Sequence, residues 1–177
     1  MATTLNAIAP HLDSRNWKYA VDSSKSRIVT GVKAKNVENF FIVIQLLRDG
    51  KSVQIYVPQL LNIKDHVYKG VAFQSLLNLM WECNSLRFEY DSKDGEVRAT
   101  IDLLLEDAPL TLQQFNSALS FLVDAVDSLM MPRMQTILAT GNDPGRRVLA
   151  KTMLDGMSPE MIRLLEAEIR TRSNGLI

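Results

Sequence analysis

The stretch LRFEYDSKDGEVRATIDLLLEDAPLTLQQFNSALSFLVDAVDSLMMPRMQTILAT, residues 86–140, decides the fold. Phe88 and Tyr90 share one face of a strand, Ser92-Lys93-Asp94-Gly95 turns the chain, and Val97, Ala99, Ile101, Leu103 and Leu105 alternate over the return strand. Thr111 then opens a long helix. Its hydroxyl is placed to cap the amide of Gln114, the Gln114 side chain to reach back, and Leu110 to staple onto Phe115. Phe115, Leu119, Leu122, Val126 and Leu129 follow at alternating spacings of four and three, which makes one narrow apolar seam. Pro132 is expected to kink this helix rather than end it, because Met134, Ile137 and Leu138 carry the pattern on to Gly141.

Upstream, Leu5, Ile8 and Leu12 keep helical spacing behind Thr4 as N-cap. Residues 27–34 read as a strand, and residues 17–21 as another short one. Residues 40–47 are apolar on both phases, which predicts a central strand covered on both sides. Asp49-Gly50 turns the chain into Val53, Ile55 and Val57, and Pro58 is expected to close that strand. Beyond Gly70, the positions Phe73, Leu76, Leu77 and Met80 define the inner face of a second helix.

The principal elements therefore run α-β-β-β-α-β-β-α, an α+β domain with an antiparallel sheet flanked by helices. Asn142-Asp143-Pro144-Gly145 breaks the chain. We expect a domain over residues 1–141 and a helical extension over 142–177, whose last helix opens at Ser158-Pro159-Glu160 and carries Met161, Leu164, Leu165 and Ile169 on one side.

The chain has 177 residues, with 20 Lys plus Arg against 20 Asp plus Glu, so it has no whole-molecule field to draw in nucleic acid. Charge is nevertheless uneven: residues 86–128 hold three basic and nine acidic side chains. The longest apolar run, residues 40–47, is interrupted by Gln45 and falls far short of the roughly 20 residues that span a bilayer. A lone cysteine and the lack of an opening secretory pattern point to a reducing cytoplasm.

The sequence carries no catalytic or metal-binding constellation. His11, His66 and Cys83 lie in different elements without ligand spacing, and Cys83 continues the inner face of the second helix as a small buried hydrophobe. Glu106-Asp107 and the acids of the 91–96 turn have no basic or nucleophilic neighbour and read as solvated strand ends. No phosphate-binding glycine motif or nucleophile elbow is present, and no cofactor is expected. Methionine is concentrated after residue 129. Met130, Met131, Met134, Met153, Met157 and Met161, with Val123, form a candidate partner-binding surface, against the ordinary reading that they fill a core. The apolar surface of the long helix, widened by Ala118, Val123, Ala125, Met130 and Met134, exceeds what one sheet face needs and predicts a homodimer through that helix or a nearby sheet edge.

Residues 53–141, above all FEYDSKDGEVRATIDLLLEDAPLTLQQFNSALSFLVDAVD, resemble the YbjN family within the type III secretion chaperone-like fold. The likeness is greatest to members from oxygenic photosynthetic bacteria, and the family is sometimes described as bacterial sensory transduction regulators. The resemblance spans about residues 1–140 and does not extend to the tail. It implies a cytoplasmic, non-catalytic protein-binding module, commonly a homodimer, that holds segments of partner proteins as an adaptor or chaperone. The alternative is a regulatory sensor domain with a small ligand beneath the second or third helix.

Overall fold

A computed structural model describes residues 2–37, 39–145 and 154–174. Helix α1 (Leu5–Asp13) starts at Thr4, whose hydroxyl accepts the Ala7 amide. Strands β1 (Tyr19–Asp22), β2 (Arg27–Lys33), β3 (Asn39–Leu47) and β4 (Ser52–Asn62) follow. Next come α2 (Lys69–Glu82), β5 (Arg87–Tyr90), β6 (Glu96–Leu104), α3 (Leu112–Asp124), a π turn (Ala125–Met130) and α4 (Met131–Thr140). Helix α5 (Pro159–Asn174) lies in the extension. The six strands form one antiparallel sheet in the order β1-β2-β3-β4-β6-β5, so the segment expected as a short strand at 17–21 becomes the edge strand Tyr19–Asp22. No described helix is long and apolar enough to cross a membrane.

Helices α1 and α3 cover the middle of one sheet face. Ile28, Ile42, Ile44, Val53, Ile55, Ala99 and Ile101 project from the strands into Ile8, Leu12, Phe115, Leu119 and Leu122. A second cluster joins it at the β5–β6 end, where α2 packs on α4 through Ala72, Leu76, Leu79, Met130, Met134 and Ile137. The opposite sheet face is open. Alternation along β3 therefore buries Phe40, Ile42 and Ile44 but leaves Phe41 65% exposed, which corrects the expectation of a strand covered on both sides. On that open face Val43 is buried, while Gln45 bonds the carbonyls of Lys25, Ser26 and Leu46.

Strand β4 does not stop at Pro58. Its register against β6 shifts between Val57 and Leu61, and Gln59 adopts φ +53 with its amide donating to Glu96 at 2.8 Å. A bulge places the missing Pro58 donor outside the ladder, so proline bends the strand instead of ending it.

The capping box at Thr111 forms as the sequence dictates, with the Gln114 amide donating to the Thr111 hydroxyl at 3.1 Å and the Thr111 amide to Gln114 Oε1 at 3.1 Å. Leu110 and Phe115 are both buried beside it. The helix continues through Pro132 to Gly141, and the adjustment takes the form of the π turn just before the proline. A wider turn relieves the clash of the proline ring with the carbonyl four residues back.

Within the π turn the buried Asp127 accepts the amides of Lys35 at 3.0 Å and Asn36 at 2.8 Å, tying the β2–β3 connection to the helix layer. Asp127→Ala leaves two loop amides without their charged acceptor and is expected to lower unfolding free energy by about 2 kcal/mol. Chemical denaturation with β2–β3 amide exchange checks this, because that loop should lose protection first.

Candidate functional site

The chain uses α2 in two ways. Ala72, Ser75, Leu76 and Leu79 turn inward, whereas Phe73, Leu77 and Trp81 recur every four residues along the outer flank. Leu77 is 63% and Trp81 87% exposed. The inner face is thus rotated from the expected Phe73, Leu76, Leu77 and Met80. Two small residues on the inner face let α2 approach α4 closely, and the bulky residues fall to the flank.

Beside this flank lies the short edge strand β5. Among the described residues only β6 pairs with it, with Phe88 opposite Ala99 and Tyr90 opposite Val97. Phe88 and Tyr90 turn toward α2, and the Phe73 ring meets Tyr90 edge-on at 4.9 Å between centroids. Together Phe73, Leu76, Leu77, Met80, Phe88, Tyr90 and Val97 line an apolar groove of about 340 Å³, with Glu89 at its margin. The Phe88 amide donates to Met80 Sδ at 3.5 Å and therefore points away from β6. By antiparallel alternation the backbone of Tyr90 faces the same open edge. A row of ladder groups is left there, one end covered only by a flexible thioether that is a weak acceptor.

The other face of the same hairpin is charged. Arg87 bonds Glu89 and Asp102, Arg98 bonds Glu89 and lies 5.0 Å over the Tyr56 ring, and Gln54 donates to Asp102 at 3.0 Å. The β5–β6 hairpin thus offers apolar side chains to α2 and a tied ionic lattice on its far side. Such a hairpin can bind an extended chain through its edge while its pairs hold the strand twist and register.

At the C-terminal end of α4, Gly141 at φ +76 packs on the Tyr68 ring just before α2. The chain then returns along the helix layer, where buried Arg133 makes two bonds to Asp143 at 2.7 and 2.8 Å and approaches Glu82 at 4.0 Å. These bonds hold the Asp143 carboxyl below the usual carboxylate range, although its partial burial acts in the opposite direction. Burial, with the charge of Glu82 adding to it, pushes the Cys83 thiol up and keeps it protonated. Among the described residues no cluster of three His, Cys, Asp or Glu side chains is arranged to hold a metal.

The residues first singled out for partner binding do not converge on this groove. Met130 and Met134 are fully buried against α2, so in this fold they are packing residues. Of the apolar surface counted as spare on the long helix, Met130 and Met134 are covered by α2, Ala125 is buried in the main core, and Ala118 stays half-buried at its margin. Val123 and Met131 are half-buried at the margin of the main core, Met157 is half-buried and Met161 is exposed on α5. Met153 lies outside the described residues. Sequence reasoning missed Trp81 and the free edge of β5. The i, i+4, i+8 spacing of Phe73, Leu77 and Trp81 was the available signal, hidden by a helix apolar nearly all round.

No family model matches this chain, and no curated protein matches it. Among solved structures, the HopA1–SchA chaperone–effector complex is similar at TM-score 0.48 and 11% identity, over 68% of this chain and 88% of that one. The ExsC–ExsE complex is similar at TM-score 0.39 and 20% identity, over 64% and 73%. YbjN from E. coli is similar at TM-score 0.53 and 10% identity, over 75% of this chain and 92% of that one. The chain has a YbjN-like fold: a six-stranded antiparallel sheet with helices α1–α4 on one face.

Proposed function

We propose that this protein is a non-catalytic adaptor or chaperone-like module that captures an apolar segment of a partner protein along the α2–β5 groove and works as a homodimer in the cytoplasm. One observation carries the reading: an open strand edge runs beside a helix flank of half-buried Phe73 and exposed Leu77 and Trp81. An added strand would gain backbone pairing from Phe88 and Tyr90 and sink alternate side chains toward Leu77 and Met80. Residues 142–177 act as a separate extension, tethered where Arg133 grips Asp143.

Full-length chain bearing Leu77→Glu and Trp81→Glu tests this by affinity capture beside wild type and a Leu104→Glu control on the open sheet face. Two apolar anchors contribute about 1.5–3 kcal/mol each, so the groove variant should weaken a stoichiometric protein partner by well over tenfold. The control should retain it. Equal retention by the groove variant would refute the groove as the site.

A second reading, a sensor domain with a small ligand, is favoured by the groove volume of about 340 Å³ and its aromatic lining of Phe73, Phe88 and Tyr90, which suit a small apolar molecule. Ligand-dependent thermal stabilisation abolished by Leu77→Glu, without any protein partner, would select this reading.

A further inference from the structure

The groove flank has a counterpart elsewhere in the chain. Helix α5 opens at Ser158, whose hydroxyl accepts the Met161 amide at 3.3 Å, and presents Met161, Leu164, Leu165 and Ile169 on one side. Leu164 and Ile169 are more than 60% exposed, and Met161 and Leu165 are also exposed. On α2 the stripe runs from half-buried Phe73 to exposed Leu77 and Trp81, and on α5 from Met161 to Ile169. Each spans nine residues, eight helical steps or about 12 Å of helix. The chain therefore carries two apolar stripes of equal length, on which Leu77 and Trp81 of α2 and Met161, Leu164, Leu165 and Ile169 of α5 stand exposed among the described residues.

Their placement favours a second copy as the occupant. The route out of the domain passes α2 itself, with Gly141 on Tyr68 and Asp143 held by Arg133 beside Glu82. Seventeen residues, 142–158, precede α5; Leu154 and Asp155 among them are helical, so the connection reaches less than the roughly 55 Å of a fully extended chain of that length. One contact of about two helical turns falls short of the roughly 1,200 Å² at which stable interfaces begin, whereas two contacts related by a two-fold axis double the area buried. Reciprocity covers all four stripes at once.

We propose that two copies exchange their C-terminal helices, α5 of each docking on the Phe73–Leu77–Trp81 stripe of the other. This rests on the reading of the α2–β5 groove as a docking surface and names its resident occupant, which a partner segment must displace.

Trp81 reports the contact directly. Trp17 is the other tryptophan, so Trp17→Phe in the full chain leaves Trp81 as the sole indole. As concentration rises from about 0.1 to about 100 µM, a range that brackets an interface of this size, acrylamide quenching of Trp81 should fall several-fold in step with a doubling of mass in sedimentation. Leu164→Asp with Ile169→Asp alters only exposed α5 positions. It should keep the circular dichroism of the fold, remain a monomer and leave Trp81 fully quenchable throughout.

Three results overturn the exchange. A dimer that forms with Trp81 shielded despite the α5 substitutions means another surface of the second copy fills the groove, and the docking reading stands without the exchange. Shielding that is independent of concentration and released by the α5 substitutions places the helix on its own chain. A monomer with Trp81 open at every concentration refutes the exchange, while the partner-capture experiment with the Leu77 and Trp81 variants judges the groove separately.

Discussion

Asp143→Ala is expected to lower the unfolding free energy by about 3 kcal/mol, seen as a lower urea midpoint at neutral pH. Arg133 is 4% exposed, and Asp143 supplies the two close bonds to its guanidinium, while Glu82 stands farther off at 4.0 Å. Removing Asp143 leaves a buried cation with one distant partner, the costly way to break such a pair. Arg133→Met should cost less, because the methionine refills the apolar volume between α4 and α2 and the partly exposed Asp143 carboxylate turns to water.

Acid should reveal the same contact. Asp143 has a folded-state pKa below its unfolded value, so its contribution is fully present above the ordinary carboxylate range and is lost as pH falls through the depressed value. The wild-type midpoint should decline over that acid window. Asp143→Asn should be weaker at neutral pH and show a smaller acid-dependent decline. A wild type and Asn variant with parallel pH profiles would refute this role.

The contacts that position the groove divide by range in how they register in the sequence. Thr111 and Gln114, Thr4 and Ala7, and the Asp49-Gly50 and Asp94-Gly95 turns act within a few residues, so spacing alone locates them. The alternation of Val97, Ala99 and Ile101 likewise sets which face of β6 is buried. Helix α2 resists this treatment because Val71, Ala72, Phe73, Leu76, Leu77, Leu79, Met80 and Trp81 supply apolar side chains around most of its circumference. Its rotation is decided by close approach to Met134 and Ile137 on α4, a contact more than 50 residues away in sequence. Asp127 is hidden for a related reason. In an acidic stretch it reads as a solvated side chain, and only the meeting of the π turn with Lys35 and Asn36 turns it into a buried acceptor.

That division bears on the candidate site. The hairpin carrying β5 is specified locally, but its value as a docking edge depends on where β5 falls in the strand order, and no local pattern states that it pairs on one side only. The ionic lattice of Arg87, Glu89, Arg98 and Asp102 is also a cross-strand product, since its members are scattered along two strands until register brings them together. Function in this molecule is therefore less visible in residue identity than in what the topology leaves uncovered.

Gly50→Ala should be the most damaging single-methyl change in the chain, with an expected cost of about 3–4 kcal/mol. Gly50 has φ +82, where a side chain is strained, and an added Cβ would lie 2.1 Å from the Thr3 carbonyl oxygen. The obstruction is backbone, so no rotamer change relieves it. The Thr3 amide donates to the Gly50 carbonyl at 3.0 Å, and the Thr3 hydroxyl accepts the buried Leu110 amide at 3.2 Å. Pushing Thr3 away thus breaks the link between the β3–β4 turn and the residue that precedes the Thr111 cap. Thr3→Ala keeps the backbone bond and leaves only the Leu110 amide unmet, so it should cost about 1 kcal/mol. Thermal denaturation of the two variants separates the effects: Gly50→Ala should lose several times more stability than Thr3→Ala. Equal losses would mean that the Leu110 bond, rather than the close approach of the turn to the N-terminal segment, holds this corner.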